Sequence, residues 1–322
     1  MKKIGIITSG GDSPGMNACL RAVVRTAISE NIDVVGFYHG YDGLIDNDYI
    51  ELSSDKVANI IHRGGTILKT ARSKRFMTDD GMKQAVQTLN SHNLDGFIVI
   101  GGDGSFRGAL ELSKHHHIKT IGCPGTIDND LVGTDFTIGY DTAINTVVEA
   151  VDKIRDTAES HDRVFVVEVM GRDAGLIALR SAIACGAEAI LIPERKGDLQ
   201  LLLEKKKTWR LTKKSRIIIV AEGDENGGAI GIGNLLKNEW PEFDIRISIL
   251  GHIQRGGNPT CMERVNASLM GYHAIKALQN NHTNEMIGIV NKVVCYTPFQ
   301  NAIKHIDELN PEMLSILDIL SA

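Results

Sequence analysis

The sequence lacks any cysteine pair at CxxC spacing. Its five cysteines, Cys19, Cys123, Cys185, Cys261 and Cys295, are scattered and odd in number. That pattern reads as buried, reduced thiols of a cytoplasmic protein rather than a disulfide framework. No apolar run approaches the ~20 residues that a membrane-spanning helix needs. The opening MKKIGIITSGGD has too short an apolar run for a signal peptide, and a charged turn follows at once, so it reads as a first strand. Positive charge is not in excess either. The net charge is −5, which gives the bulk field no attraction for nucleic acid or an anionic membrane surface. Any anion site must come from local clustering of arginines. Low-complexity segments, Pro/Ser-rich linkers and internal repeats are also absent.

What is present is ordinary in bulk and informative in order. The 322 residues suffice for one large or two ordinary domains, and 43% apolar with 23% charged residues suits a soluble globular chain. Short β-branched runs fall at 4–8, 33–38, 96–100, 120–123, 164–169, 189–192, 217–222, 245–250 and 287–290. Helical patterns fall between them, most clearly at 14–30, 79–93, 139–160 and 260–280. Alternation of this kind predicts parallel sheets covered by helices. Strands that are continuously apolar suit sheets buried on both faces. Two domains, if formed, would pack tightly and interleave in sequence. The histidines at 115–117 read as a solvated helix end rather than a metal site.

Two strands end almost alike. IGIITSGGDSPGMN runs into Gly10-Gly11-Asp12, and GFIVIGGDGSFRGAL into Gly101-Gly102-Asp103-Gly104, each before a helix. Successive glycines leave backbone N–H groups open to phosphate oxygens, and a helix N-terminus favours the same charge. The expected place is the carboxyl edge of a parallel sheet. Neither stretch is a GxxxxGK[ST] loop or a GxGxxG fingerprint. Asp103 would repel phosphates unless a divalent cation lay between, and Mg²⁺ is held by one or two carboxylates together with substrate phosphates. GTIDND, residues 125–130, supplies two more acids, Asp128 and Asp130, just after Thr126.

Such acids call for cations. Arg72 lies in the basic run KTARSKRF, Arg163 and Arg172 at the two ends of a predicted strand, and Arg246, His252 and Arg255 in FDIRISILGHIQRGG. Guanidinium forks bind phosphate in pairs of hydrogen bonds and keep their charge. Backbone amides and Mg²⁺ for one polyphosphate, arginines for a second anionic substrate, and a carboxylate to accept a hydroxyl proton together describe phosphoryl transfer. One TIDND aspartate would be the general base and the other would lie toward the metal.

With TSGGDSPGMNA, RGGT, IGGDGS, PGTIDND, DKIRDTAESH, VEVMGR, AEG and LGHIQRGG in place, the chain resembles the bacterial ATP-dependent 6-phosphofructokinases over essentially its full length. The resemblance implies two Rossmann-like three-layer α/β/α subdomains with mainly parallel sheets. A larger nucleotide-binding one would take 1–138 plus about 256–304, and a smaller sugar-phosphate one 139–255 plus about 305–322. It implies Asp128 as base toward the sugar 1-hydroxyl, with Thr126, Arg72 and Arg172 assisting, and Asp103 and Asp130 toward Mg²⁺. Gly11, Tyr41, Arg72, Ser73, Phe76, Gly102, Asp103, Gly104, Ser105, Arg107 and Gly108 would hold the nucleotide. Thr126, Asp128, Asp130, Met170, Gly171, Arg172, Glu222, His252 and Arg255 would hold fructose 6-phosphate, and Arg163 and Arg246 would reach it across a subunit interface in a homotetramer.

Arg21 and Arg25, at i and i+4 on one helix, repel each other and would welcome an anion. With Arg155, Glu188, Lys213 and Lys214 they resemble the family's effector site for ADP and phosphoenolpyruvate. Ser54, Asn59 and Leu211 depart from the Arg, Asp and basic residue of well-regulated relatives, and Ala174 and Leu176 replace the common Cys and Asp. Pyrophosphate-using relatives carry Asp at the place of Gly104 and Lys at that of Gly125, so ATP is the expected donor. The alternatives are a pyrophosphate-dependent enzyme and a non-catalytic nucleotide-sensing subunit.

Overall fold

Alternating strands and helices build two separate sheets in the computed structural model, which describes residues 1–161, 163–208, 215–304 and 309–321. In chain order the first elements are β1 (Lys3–Thr8), α1 (Met16–Ser29), β2 (Asp33–Phe37), α2 (Tyr41–Asp46), β3 (Tyr49–Leu52), α3 (Asp79–His92), β4 (Gly96–Gly101) and α4 (Asp103–His116). There follow β5 (Lys119–Thr126), β6 (Ile138–Gly139), α5 (Tyr140–Glu159), β7 (Arg163–Val169), α6 (Leu176–Cys185), β8 (Ala189–Leu191) and α7 (Asp198–Lys205). The last are β9 (Arg216–Ala221), α8 (Gly228–Glu239), β10 (Asp244–Ile249), α9 (Cys261–Gln279), β11 (Glu285–Val290), β12 (Val293–Pro298) and α10 (Pro311–Leu320).

The chain divides into two units, Met1–Thr142 with Arg255–His305, and Ala143–Gln254 with Ile306–Ala322. The first holds a sheet in the order β12-β11-β5-β4-β1-β2-β3, with β6 added on β5. Its inner pairs, β2 on β1, β1 on β4 and β4 on β5, are parallel, while β3 and β12 close the two edges antiparallel. Alternate residues feed two apolar layers. Ile4, Ile6, Ile98 and Ile100 pack with Met16, Leu20 and Val23 of α1 and Met270 and Ala274 of α9. Ile7, Phe97 and Val99 pack with Leu89 of α3 and Phe106 and Leu112 of α4. Both faces are thus apolar and helix-covered, as a buried parallel sheet requires.

The second unit holds a fully parallel sheet ordered β10-β7-β9-β8. Val164, Val166, Ile218 and Val220 pack with Ile232 and Leu236 of α8 and with Trp240. α6 lies against β8 and β9. Among the described residues no helix is long and apolar enough to cross a membrane.

Two expectations need correction. The thiols are free, but only Cys19, Cys123 and Cys185 are buried; Cys261, first residue of α9, is exposed and Cys295 partly so. The two glycine turns also differ. α4 starts directly after β4, whereas residues 9–15 intervene between β1 and α1, with Gly15 left-handed at φ 102°.

The N-terminus of α9 carries a modified capping box. The Thr260 hydroxyl accepts the Glu263 N–H at 3.1 Å, as such boxes do. The Glu263 carboxylate instead accepts the N–H of Gly139 at 2.8 Å and the N–H and hydroxyl of Thr142 at 3.2 Å each. It therefore ties α9 to the junction of β6 and α5. Burial pushes this carboxyl up to about 7, from an ordinary 4.5, against the hydrogen bonds that favour its charge. The folded chain keeps a proton that the unfolded chain releases, so this group's stabilisation is full below about 4.5 and lost as pH rises to about 7. Urea unfolding at pH 5 and pH 8 should show wild type losing on the order of 3 kcal/mol relative to Glu263→Gln over that interval.

Candidate active site

In the first unit, parallel register aligns three strand ends: Thr8 pairs with Ile100, and Gly101 with Pro124. Gly10, at φ 90°, turns the chain out of β1 and donates its N–H to Ala71 O at 3.3 Å. A Cβ on Gly11 would stand 2.8 Å from Nη1 of Arg255, and that nitrogen donates to Asp12 O at 3.1 Å. Arg255 thus lies directly on the first glycine turn.

At the second turn Gly102 is the N-cap of α4, and no side chain caps the helix. Its first N–H groups therefore remain for an anion. A Cβ on Gly104 would meet nothing within 4 Å. Packing does not demand glycine there. Gly125 is the opposite case, since its Cβ would meet Met16 Cε at 2.8 Å, Ile100 Cγ2 at 3.2 Å and the Gly101 nitrogen at 3.3 Å. Asp103 receives Arg107 at 2.7 Å, one turn along α4.

An aromatic slab flanks this turn. The rings of Tyr41 and Phe76 stack at 4.0 Å and 19°, and a Cβ on Gly108 would touch both, at 3.0 and 3.2 Å. The Tyr41 hydroxyl donates to Ser105 O at 2.6 Å, and burial raises its phenol above the usual range. Ser73 accepts the Phe76 N–H at 3.0 Å and donates to Asp42. Arg72 is exposed and makes no ion pair with the described residues.

β5 delivers TIDND. Asp128 and Asp130 are 3% and 5% exposed, which makes them acids of the interior rather than of the surface. The Asp128 N–H donates to Thr126 Oγ1 at 3.2 Å, and Asp130 is paired with Lys304 at 3.0 Å.

In the second unit Met170, Gly171 and Arg172 lie on the loop after β7, while Glu222 follows β9 and His252 follows β10. Arg172 is left-handed at φ 52°, a conformation costly for a side chain of this size. Three side chains hold the loop by its backbone. Gln254 accepts the Met170 N–H at 2.9 Å, Glu222 that of Arg172 at 2.7 Å, and Glu194 that of Gly175 at 2.7 Å. His252 is exposed. Arg163 and Arg246 meet on one carboxylate, Asp244, at 2.8 and 3.0 Å, and these hydrogen bonds, Arg163's first, hold that carboxyl below the usual range.

The effector candidates fall in both units. Arg21 and Arg25 lie on α1, where burial and then Arg25 pull Arg21 below its usual value. Arg155 donates to the Cys185 carbonyl at the end of α6, and Glu188 accepts the Ile217 N–H. Ser54 and Asn59 are exposed. Lys213, Lys214 and Leu211 lie outside the described residues.

The sequence reading missed Lys304, Asp244, Gln254, Glu194 and Glu263. All five have partners far along the chain; only Glu263, in the T-x-x-E pattern that starts at Thr260, and Asp244, two residues before Arg246, carry a local signal.

Glycine turns, an uncapped helix start and buried acids on one sheet edge define a phosphate-handling protein of the open α/β class. Residues 3–278 match the phosphofructokinase family. The chain is 50% identical to ATP-dependent 6-phosphofructokinase 2 of Bacteroides thetaiotaomicron, covering 100% of this chain and 99% of that one. It is 48% identical to the ATP-dependent 6-phosphofructokinase of Cytophaga hutchinsonii, at 100% and 98% coverage. Its fold superposes on the phosphofructokinase of Saccharomyces cerevisiae with a TM-score of 0.87 and 36% identity, covering 100% of this chain and 48% of the yeast one. The chain belongs to the phosphofructokinase family.

The two glycines make a stability test. Gly104→Ala should stabilise by about 0.5–1 kcal/mol, since it gains helix propensity in open space. Gly125→Ala should destabilise by about 1–3 kcal/mol through overpacking. Urea midpoints measure both.

Proposed function

We propose that the chain transfers the terminal phosphoryl group of Mg-ATP to the 1-hydroxyl of fructose 6-phosphate, giving fructose 1,6-bisphosphate and ADP, the committed step of glycolysis. The full-length identity to ATP-dependent 6-phosphofructokinases carries this reading. The open space at Gly104, where a carboxylate would crowd ATP, supports ATP over pyrophosphate, and so does the lack of room for a lysine at Gly125.

Asp128 takes the hydroxyl proton as the sugar oxygen attacks the γ-phosphorus and the bond to the ADP oxygen breaks. Thr126 lies beside the transferring group. Arg72 and Arg172 offset its charge, as positioned guanidinium groups do in phosphoryl transfer. The amides of Gly11 and Gly102 hold phosphates, while Ser73, Ser105, Arg107 and the Tyr41–Phe76–Gly108 slab hold the nucleotide. Met170, Gly171, Glu222, His252 and Arg255 bind the sugar phosphate.

Asp103 fits a magnesium ion. It is a partly exposed carboxylate in the first turn of α4, and its partner Arg107 has a side chain 67% exposed that can swing away. Asp130 is the second candidate, with Lys304 already beside it. Bound Mg²⁺ would neutralise charge on the β- and γ-phosphate oxygens.

In a homotetramer Arg163 and Arg246 reach the substrate of a neighbouring copy. ADP and phosphoenolpyruvate act through Arg21, Arg25, Arg155, Glu188, Lys213 and Lys214, and the protein works in the cytoplasm.

Asp128→Ser should lower kcat by about 10²–10⁴-fold with fructose 6-phosphate binding nearly unchanged, read by a coupled ADP-release assay. Near-normal turnover would remove Asp128 from this role. Turnover of the wild type with pyrophosphate alone would overturn the donor.

A further inference from the structure

Asn129 stands between the two acids of TIDND, and the mechanism above gives it no task. Its backbone is left-handed at φ 54°, a conformation that asparagine tolerates better than other side chains. Its side chain spans the loop. Oδ1 accepts the Thr137 N–H at 2.7 Å, and Nδ2 donates to Asp135 O at 3.1 Å.

Both partners belong to a fixed frame. The Thr137 hydroxyl donates to Thr126 O at 2.7 Å, and β6, which follows, pairs with Gly125 and Thr126 of β5. Asp135 is tied to β11, the neighbour of β5, and to the turn after it. Its N–H donates to Ile289 O at 2.9 Å, and its carboxylate accepts the Asn291 N–H at 2.7 Å. One side chain therefore connects the turn between the acids to both β6 and the β11–β12 hairpin.

We propose that Asn129 is a positioning residue for phosphoryl transfer: its left-handed turn and its two side-chain hydrogen bonds set where the Asp128 and Asp130 carboxylates stand. The inference deepens the proposed function and rests on Asp128 acting as the base. Asparagine alone meets every demand of the place. Glycine allows the turn but makes neither bond. Alanine makes neither bond and resists the turn. Aspartate keeps the acceptor, loses the donor and adds a third carboxylate beside two others.

A base must stand about 3 Å from the proton it takes, and a misplacement of about 1 Å can cost about 100-fold in rate. The test is steady-state kinetics of full-length Asn129→Gly and Asn129→Ala with Mg-ATP and fructose 6-phosphate, alongside calorimetric binding of each substrate. The expected result is a fall in kcat of about 10- to 100-fold in both variants, with each KM and each binding constant within about threefold of wild type. A residue that only supports the loop's fold would weaken substrate binding along with turnover, and that outcome overturns the proposal. A kcat reduced by less than about fivefold in Asn129→Gly overturns it too. Should the alanine variant not fold, the glycine variant decides, because glycine adopts φ 54° freely. Asp128→Asn in parallel separates the two readings. Near-normal turnover there defeats the base assignment itself. A dead Asp128→Asn beside a normal Asn129→Gly defeats positioning alone.

Discussion

Parallel pairing of β1, β4 and β5 is the constraint from which the first unit's chemistry follows. Parallel neighbours cannot be joined by tight turns, so each strand must leave the sheet and return through a helix or long crossover. Every strand-to-helix junction then falls on the same carboxyl edge. Register does the rest: with Thr8 opposite Ile100 and Gly101 opposite Pro124, the glycine turns at 10–11 and 102 and the acids after Thr126 share one edge. The glycines of the two turns are not alike. Gly10 bends the backbone at φ 90°, Gly11 makes room for the Arg255 guanidinium, and Gly104 leaves space that no protein atom fills.

A chain with a net charge of −5 handles phosphates only by arranging charge locally. Its acids and cations hold one another: Asp103 with Arg107, Asp130 with Lys304, and Asp244 with both Arg163 and Arg246. These pairs are not equal. Arg107 and Arg246 have side chains 67% and 53% exposed, and such pairs are worth little. The Asp130 side chain is 7% exposed, and breaking its pair would strand a buried charge. By exposure Arg163 and Lys304, at 23% and 26%, are held more firmly than Arg107 and Arg246.

In each unit, rigidity around the candidate residues comes from side chains that grip backbone. Asn129 holds the turn between the acids, and Gln254, Glu222 and Glu194 hold the loop of Arg172. Arg172 and Asn129 both stand in the left-handed region. Backbone held in a sparsely populated conformation persists only where neighbours over-determine it, and both loops have that support.

The order of elements was legible because period and composition are local. The buried strands 96–101, 163–169 and 216–221 stand out as largely apolar, β-branched runs, and the helix over 79–92 as an amphipathic stretch with a Thr78 cap. The edge strands β3 and β12 were not read, since YIEL is only four residues long and VVCYTP follows β11 after just two residues, so neither stands apart as a run of its own. The candidate residues Asp103, Arg172 and Arg255 and the pair Asp128 and Asp130 could be named from glycine-rich stretches and acid spacing, while the choice of Asp128 as base came from the family resemblance. Their partners could not. Lys304 reaches Asp130, Glu263 reaches Gly139, and Gln254 reaches Met170 across long stretches of chain, and a hydrogen bond depends on distance in space rather than on sequence separation. Residue types and local periodicity determined which groups are candidates for chemistry; only folding decided which neighbours hold them, because those contacts exist once the sheets have brought distant segments together.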